Sequence, residues 1–410
     1  MKILLVEIAP AGGLFQFALQ LGDALARNGC QTELLCGRNP EFEPGEPGLL
    51  LSPKLRTWQQ ASGSPNTTAS GTVNAAAHRI RRVWRGLLYC WAWIQIARRV
   101  LRDPPDVVIF ADWRFWIDGI AAWVLGRLAR RRAPTLFVDI AHTPVPMNAT
   151  DPGGTDYRTG PLLTRSLRAG YRSLDLVVVL GESSRSQFHD AWGHDIPTAV
   201  MPHGTEDIFD AAGIGPAGDA PPNVLLFGTW NRYKGIGVLL DAFETVRAEM
   251  PSAALTIAGM PDRDVVLDEI GTRADRIGNV TLIAEYVDSA DVHGLFDQAR
   301  VVALPYLFAN QSGVAHLAAN FARPVVASRI GDLPEVVDDS ETGILTEPGD
   351  SDALAAGLLE LLSDRDTATR MGDTARERIL TRSSWDDSAQ LLIGALENAD
   401  PLTRRARRRA

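Results

Sequence analysis

Residues 224–243 read VLLFGTWNRYKGIGVLLDAF, and their reading decides the fold. "VLLF" is a short apolar run of strand length that stops at Gly228. Arg232 and Lys234 follow in a turn, and "IGVLLDAF" starts a helix close to Gly235. Strand, polar turn and helix are the opening of a βαβ unit and of a parallel sheet. Two cations at the C-terminal edge of a strand, above a helix N-terminus, favour a dianionic ligand through charge and helix dipole together. The plain alternative is an exposed basic turn.

The same rhythm runs outward in both directions. Downstream lie "AALTIAGM", "VTLIAEYV", "VVALPY", "PVVASRIG" and "GILTEPG". Upstream, "MKILLVEIA" ends at "PAGG" and leads into "LFQFALQLGDALARNG", where Phe15, Ala18, Leu19, Leu21 and Leu25 fall near helical spacing before Asn28-Gly29 stops them. "QTELLCG", "DVVIFAD", "PTLFVDIAHT", "LDLVVVLGESS" and "PTAVMPHGT" then read as further buried strands. Residues 39–76 read as one long loop and residues 148–160 as another, of a length suited to a lid. Residues 210–223, rich in Gly, Pro and Ala, read as a linker. The expected architecture is α/β, two tandem Rossmann-like doubly wound domains facing a central cleft. The first spans residues 1–208 and the second residues 209–382. Residues 383–398 form a helix that crosses back to the first domain, and residues 399–410 form a basic tail. The cleft is the default ligand site.

Composition narrows the class. At 410 residues the chain exceeds one ordinary core, and its 45% hydrophobic and 22% charged content is that of a globular protein. Cys30, Cys36 and Cys90 form neither a paired framework nor a metal-ligand spacing, which fits a reducing, cytoplasmic setting. Glu7 and Pro10 interrupt the first apolar run, so no signal peptide is read there. The uncharged stretch Gly86–Ala97 is far shorter than the roughly 20 residues that span a bilayer. The net charge of −9 hides a split: residues 1–204 carry 22 basic and 17 acidic side chains, residues 205–400 carry 14 and 33.

A second stretch, Pro305–Val337, opens a helix with Gln311-Ser312-Gly313-Val314 and holds no acid between Pro305 and Ser328. Free N–H groups of a first helical turn bind phosphate without any carboxylate, which would repel it. An ordinary Ser-capped helix is the alternative.

Taken together, "VLLFGTWNRYKGIGVLLDAF", "LTIAGM", "DVHGLFDQARVVALPY" and "RPVVASRIGDLPEVVDDSETGILTEPGD" resemble the second domain of GT-B-fold glycosyltransferases, most closely retaining family 4. The resemblance is specific over about residues 222–382; over residues 1–204 only Gly12-Gly13, "DIAHT" and "MPHGT" match. It implies a nucleotide-diphospho-sugar donor held mainly by the second domain and a lipid-linked, polysaccharide or small-molecule hydroxyl acceptor held by the first. It implies retention, with no metal and no cofactor beyond the donor. By the same resemblance Lys234 and Arg232 hold the donor diphosphate, and the amides of Ser312, Gly313 and Val314 cradle its distal phosphate. Gly12 and Gly13 let the first loop approach the donor, and His142, at the edge of a parallel strand, stands near the reaction centre. Base contacts fall around Tyr286 and Val287. The chain departs from the family in two places. Thr229 replaces the usual arginine, and Ala309 and Leu317 replace the paired glutamates that contact donor sugar and ribose. Similar proteins with "QSGV" here also lack both acids, and Asn310 and Gln311, or Tyr306, are candidates to contact the sugar instead.

Residues 79–132 hold 12 arginines, four aspartates and six tryptophans. They read either as a contact with an anionic membrane surface, which makes the protein peripheral at the inner face, or as two crossover helices with Trp in the core. No nucleic-acid-binding module is recognised. The two Asp-Arg-Asp triplets, at Asp262–Asp264 and Asp364–Asp366, read as solvated turns rather than metal ligands. A non-catalytic, degenerate subunit is the competing reading, and a sugar-nucleotide epimerase or phosphorylase of the same fold a third.

Overall fold

The computed structural model describes residues 1–56, 73–113, 115–145, 161–206, 208–262, 264–309, 311–382 and 384–399. Among these, two parallel sheets form, each covered by helices on both faces.

The first sheet is built from β1 (Lys2–Glu7), α1 (Gly13–Arg27), β2 (Gln31–Gly37), β3 (Leu49–Leu55), α2 (Val73–Arg102), β4 (Val107–Phe110), α3 (Trp116–Ala129), β5 (Leu136–Ile140), α4 (Pro161–Tyr171), β6 (Leu176–Val179), α5 (Glu182–Trp192) and β7 (Thr198–Val200). Its order is β3-β2-β1-β4-β5-β6-β7. The strands are apolar on both faces because both are covered: Ile3 and Leu5 pack toward α1, Leu4 and Val6 toward α2 and α3. Strand order reverses between β1 and β4, which opens a crevice beyond their C-terminal ends.

The long loop expected over residues 39–76 is corrected by β3, an edge strand parallel to β2. Leu49 and Leu55 are buried there, and an edge position tolerates the missing N–H of Pro53. Residues 57–72 and the lid expected at 148–160 lie outside the described residues.

The second sheet comprises β8 (Asn223–Phe227), α6 (Ile236–Glu249), β9 (Ala254–Ala258), α7 (Leu267–Ile277), β10 (Val280–Ile283), α8 (Ser289–Asp297), β11 (Val301–Leu304), α9 (Gly313–Asn320), β12 (Val325–Ser328), α10 (Leu333–Val336), β13 (Gly343–Thr346), α11 (Ser351–Ser363) and α12 (Arg365–Arg382). Its order β10-β9-β8-β11-β12-β13 places the reversal between β8 and β11. Thus the two stretches that decided the sequence reading leave adjacent strands at one switch point.

The segment read as a linker is packed rather than loose. Gly218 N donates to Thr369 Oγ1 at 3.0 Å, and the buried Arg300 guanidinium donates to the Ala220 and Leu362 carbonyls. Helix α13 (Trp385–Ala399) lies on α1, with Trp385, Ala389, Leu392 and Leu396 buried in the first core. Ser384 Oγ accepts from Asp387 N at 3.0 Å and caps it. Residue 383 and the tail beyond Ala399 lie outside the described residues.

Candidate active site

After β8 the chain turns through Gly228 at φ 102°, where a β-carbon would lie 3.2 Å from Lys234 Nζ and 3.6 Å from Val314 Cγ2. Glycine keeps this space open. A short 3-10 turn, Arg232–Lys234, ends at Gly235 in the left-handed region, with φ 69°. A β-carbon at Gly235 would sit 1.9 Å from Pro305 O, so only glycine lets the turn close against the end of β11.

That turn buries Lys234, which is 6% exposed. Its Nζ donates to Tyr306 Oη at 3.0 Å and lies 4.8 Å from the centre of the Tyr306 ring. Burial works to lower the pKa of this ammonium, but the neighbouring Tyr306 and Tyr233 hydroxyls outweigh it and the net shift is upward. The amine therefore stays charged at neutral pH. Tyr306 Oη also meets Ser312 Oγ at 3.2 Å, and Ser312 Oγ caps α9 by accepting from Ala315 N at 3.4 Å. One row of polar atoms thus joins the buried cation to the N-terminus of α9, whose first turn holds no acid.

The neighbouring arginine differs. Arg232 is exposed, and its backbone N–H donates to Asp264 Oδ2 at 3.1 Å, while Asn231 Nδ2 donates to Asp262 Oδ2 at 3.0 Å. The first acid triplet therefore braces the turn, with Asp262 exposed and Asp264 half-buried; Arg263 lies outside the described residues. Asp364, from the second triplet, accepts from the N–H groups of Asp366 and Thr367 and starts α12.

From the other domain, Gly12 caps α1 at φ 87°, and nothing lies within 4 Å of a β-carbon at Gly12 or Gly13. Both face open space. Glu41 organises this loop: Oε2 accepts from Gly12 N at 3.0 Å and from Gln16 Nε2 at 3.1 Å. Its Oε1 accepts from Tyr286 Oη of the second domain at 2.7 Å, so Tyr286 touches the glycine loop through one carboxylate. Burial and that carboxylate raise the Tyr286 pKa. Val287 is half-buried beside it in the second core.

Deeper in the cleft, Gln20 of α1 donates to Glu206 Oε2 at 2.9 Å. A β-carbon on Gly313 would lie 3.2 Å from Glu206 Oε1. His203 Nε2 is 3.3 Å from the same oxygen, and its ring centre is 4.7 Å from that of His316 on α9. Burial pushes His203 down to about 4, against the opposing bond from Nδ1 to Gly204 O, and pushes His316 well below its ordinary value. Phe17 bridges the group, with ring centres 4.4 Å from His142 and 5.1 Å from His203. His142 therefore joins α9 through the rings of Phe17, His203 and His316.

A second bridge crosses between the domains. Ser184 Oγ donates to Asp332 Oδ2 at 2.5 Å, Ser184 N to Asp332 Oδ1 at 3.1 Å, and Ser183 N to Glu335 Oε1 at 3.3 Å. The first turn of α5 thereby holds two carboxylates from the opposite domain.

Ala309 and Leu317, the positions that lack acids, are both buried in the second core with Tyr306 and Phe321. Tyr306 is 2% exposed and already engaged, which leaves it no edge for a sugar. Gln311 is half-buried with its Nε2 buried and without a hydrogen-bond partner among the described residues; Asn310 lies outside them. Glu41, Glu206 and His203 escaped the sequence reading. His203 and Glu206 stand in and beside the quoted "MPHGT", where a carboxylate three residues after a histidine was the available signal.

Comparison with known proteins follows this geometry. Residues 11–207 match the model of Glycosyltransferase Family 4, and residues 221–364 match that of Glycosyl transferases group 1. The chain is a GT-B glycosyltransferase of the family 4 type. Among curated glycosyltransferase relatives, glycogen synthase of Mycobacterium tuberculosis is 30% identical over 170 residues, 41% of either chain. A GDP-mannose-dependent alpha-(1-6)-phosphatidylinositol monomannoside mannosyltransferase of the same organism is 27% identical over 258 residues, 58% of this chain and 66% of that one. The chain thus spans about two-fifths to two-thirds of the curated relatives it matches. Sucrose-phosphate synthase from Thermosynechococcus elongatus superposes with a TM-score of 0.67 at 20% identity, covering 97% of this glycosyltransferase and 98% of that chain. The Anabaena HepE protein in complex with UDP and glucose superposes at 0.68 and 16% identity, covering 97% and 100%. These likenesses fix the two-domain GT-B fold.

Proposed function

We propose that this glycosyltransferase moves a sugar from a nucleotide-diphospho-sugar to a hydroxyl acceptor, with retention and without a metal. The observation that carries the reading is the row Lys234–Tyr306–Ser312, which ends at the N-terminus of α9, a helix whose own first turn holds no acid. In this reading the ammonium and the amides of Ser312, Gly313 and Val314 take up the negative charge that grows on the departing diphosphate. Exposed Arg232 adds charge from the rim. The diphosphate oxygen accepts the acceptor's proton on the same face, so the protein mainly positions both partners. His142, held on Phe17, lines the path beside the reacting carbon, and Gln311 offers its amide to the donor sugar, with Asn310 next to it in the chain. Tyr286 and Val287 flank the base.

The domain limits belong to the same proposal: residues 1–208 for the acceptor, 209–382 for the donor, and 383–398 returning to the first domain. So does the place of work. The phosphatidylinositol substrate in the mycobacterial relative's name supports an acceptor carried on lipid, met at the cytoplasmic face of an anionic membrane through residues 79–132.

A non-catalytic reading is favoured by one observation, the repacking of Ala309 and Leu317 into the core. Thermal unfolding with UDP, GDP, ADP and TDP, with and without EDTA, separates the two. A donor-site ligand at about 100 times its Kd adds roughly 2.7 kcal/mol. That shift should appear with one nucleotide, survive EDTA and vanish in Lys234→Ala. Absence of any shift would leave the non-catalytic reading standing, and transfer unchanged in Gln311→Ala would remove the sugar role given to that residue.

A further inference from the structure

The helices α2 and α3 cover one face of the first sheet, and each buries one side and leaves apolar residues on the other. On α2 the inner side is Trp93, Ile96 and Val100, while Trp84, Leu87, Trp91 and Ile94 are exposed at spacings of three and four. On α3 the inner side is Ala122, Leu125 and Ala129, while Ile120, Trp123, Val124 and Leu128 are exposed at the same spacings. Trp84 is 62% exposed and Leu87 57%; at the start of α3, Phe115 is 51% exposed and its ring meets that of Tyr89 on α2 at 4.8 Å. Both stripes point away from the same sheet face, so they form one surface.

Each stripe carries a cation at its centre. The Arg98 guanidinium lies 5.0 Å from the Trp91 ring centre, and that of Arg127 lies 5.2 Å from Trp123. Residues 79–132 are net +8, while residues 205–400 are net −19. We infer that the α2–α3 face is a docking surface for an anionic lipid leaflet, with the tryptophans at headgroup depth and the arginines on lipid phosphates. Charge selects this occupant. A second copy would set Arg98 and Arg127 against their own counterparts across a self-complementary contact, and the core of a protein interface is depleted of charge, whereas here guanidinium groups sit inside the apolar stripes. Tryptophan with arginine is the pairing that suits a membrane interface. The inner wall of α2 (Tyr89, Trp93, Ile96) lines a recess with Glu7, Ile8 and Asp112 at the C-terminal ends of β1 and β4, so the helix that meets lipid outside borders the acceptor edge of the cleft inside. This rests on the reading of a lipid-carried acceptor.

The test is co-sedimentation of the full chain with phosphatidylcholine vesicles, with and without phosphatidylglycerol. The double variant Trp91→Glu/Trp123→Glu and, separately, Arg98→Glu/Arg127→Glu are compared, with nucleotide-induced thermal shifts read on every sample. Wild type should bind only the anionic vesicles, salt should weaken the binding, and each double variant should lose affinity by about tenfold or more while keeping its nucleotide shift. Equal binding to neutral vesicles, no binding to either, or retained binding in the variants would overturn the inference. So would a dimer, seen by light scattering, that the substitutions dissolve. A wild type that fails to bind anionic vesicles while keeping its nucleotide shift would fell this inference alone; a wild type that binds them but shows no nucleotide shift would fell the transfer reading alone.

Discussion

A buried histidine with no countercharge makes a protein sensitive to mild acid. His316 is such a residue: it is 3% exposed, and its Nδ1 has no hydrogen-bond partner among the described residues. Its folded pKa lies below the unfolded value, so the unfolded chain binds the proton that the folded chain refuses. Stability is therefore full above about pH 6.5 and falls as pH drops below it, by up to about 1.4 kcal/mol per pH unit per imidazole. His203, pushed to about 4, adds to the same slope. Denaturant titrations at pH 5 and pH 7 should show the loss, and His316→Asn should flatten it; an unchanged slope would mean that protons enter elsewhere. At this scale the sequence was partly legible. Lys234 was readable because a cation in the turn that joins a buried strand to a helix stands at the strand's C-terminal edge. Tyr306 stood beside Asn310 and Gln311 as one candidate for the sugar contact, but its hydroxyl is engaged by Lys234 and Ser312. That role depends on how closely β8 and β11 lie side by side, which no local pattern encodes. Glu41 and Glu206 were invisible for the same reason: each acts on residues of other elements, and a lone acid in a turn carries no period.

At the scale of elements, apolar runs bounded by Gly and Pro predicted the parallel strands well, because strands covered on both faces are apolar throughout. The pattern failed where polarity and edge position mix, as in β3, whose "LLLSPKL" sets an exposed proline between a buried Ser52 and an exposed Lys54. The α5 bridge was also beyond reach, since a helix start in one domain gives no sign that carboxylates from another will fill it. The bridge itself is testable. Ser184→Ala removes the hydroxyl on Asp332, a charged hydrogen bond worth about 1.5–3 kcal/mol. The variant should open the cleft, visible as a larger radius of gyration by small-angle scattering. Nucleotide affinity should fall several-fold if closure completes the donor site. A variant with unchanged scattering would show that the contacts left in place, Tyr286–Glu41, His203–His316 and the backbone bonds to Asp332 and Glu335, are enough to hold the domains together.

At the scale of the molecule, the charge split was plain in the sequence and gave two domains with unlike surfaces, but it could not say which side chains faced outward. Trp93 and Trp113 turned inward, as the reading of two crossover helices expects, while Trp84, Trp91 and Trp123 did not. The return of α13 to the first core makes a separate prediction. Removing residues 385–410 strips Trp385, Leu392 and Leu396 from α1, a loss of about 6 kcal/mol or more in apolar burial. The truncated chain should expose dye-binding apolar surface and lose cooperative unfolding of its first half. Independent, cooperative melting of that half would show α13 to be an accessory.

Trp385 has a consequence for how the chain is made. Its indole N–H donates to Thr205 O at 2.6 Å, and its ring fills the space above Gly204, where a β-carbon would lie 2.2 Å away. The first domain is thus closed by a residue translated after the second domain is already complete. At about 5–20 residues per second, the roughly 200 residues between β7 and the end of α13 take about 10–40 s to emerge from the ribosome. For that interval the face of α1 stays uncovered, and the second domain has time to fold before the first is sealed. Trigger-factor-like holdases, or a slow finish to synthesis, would act on this one exposed helix.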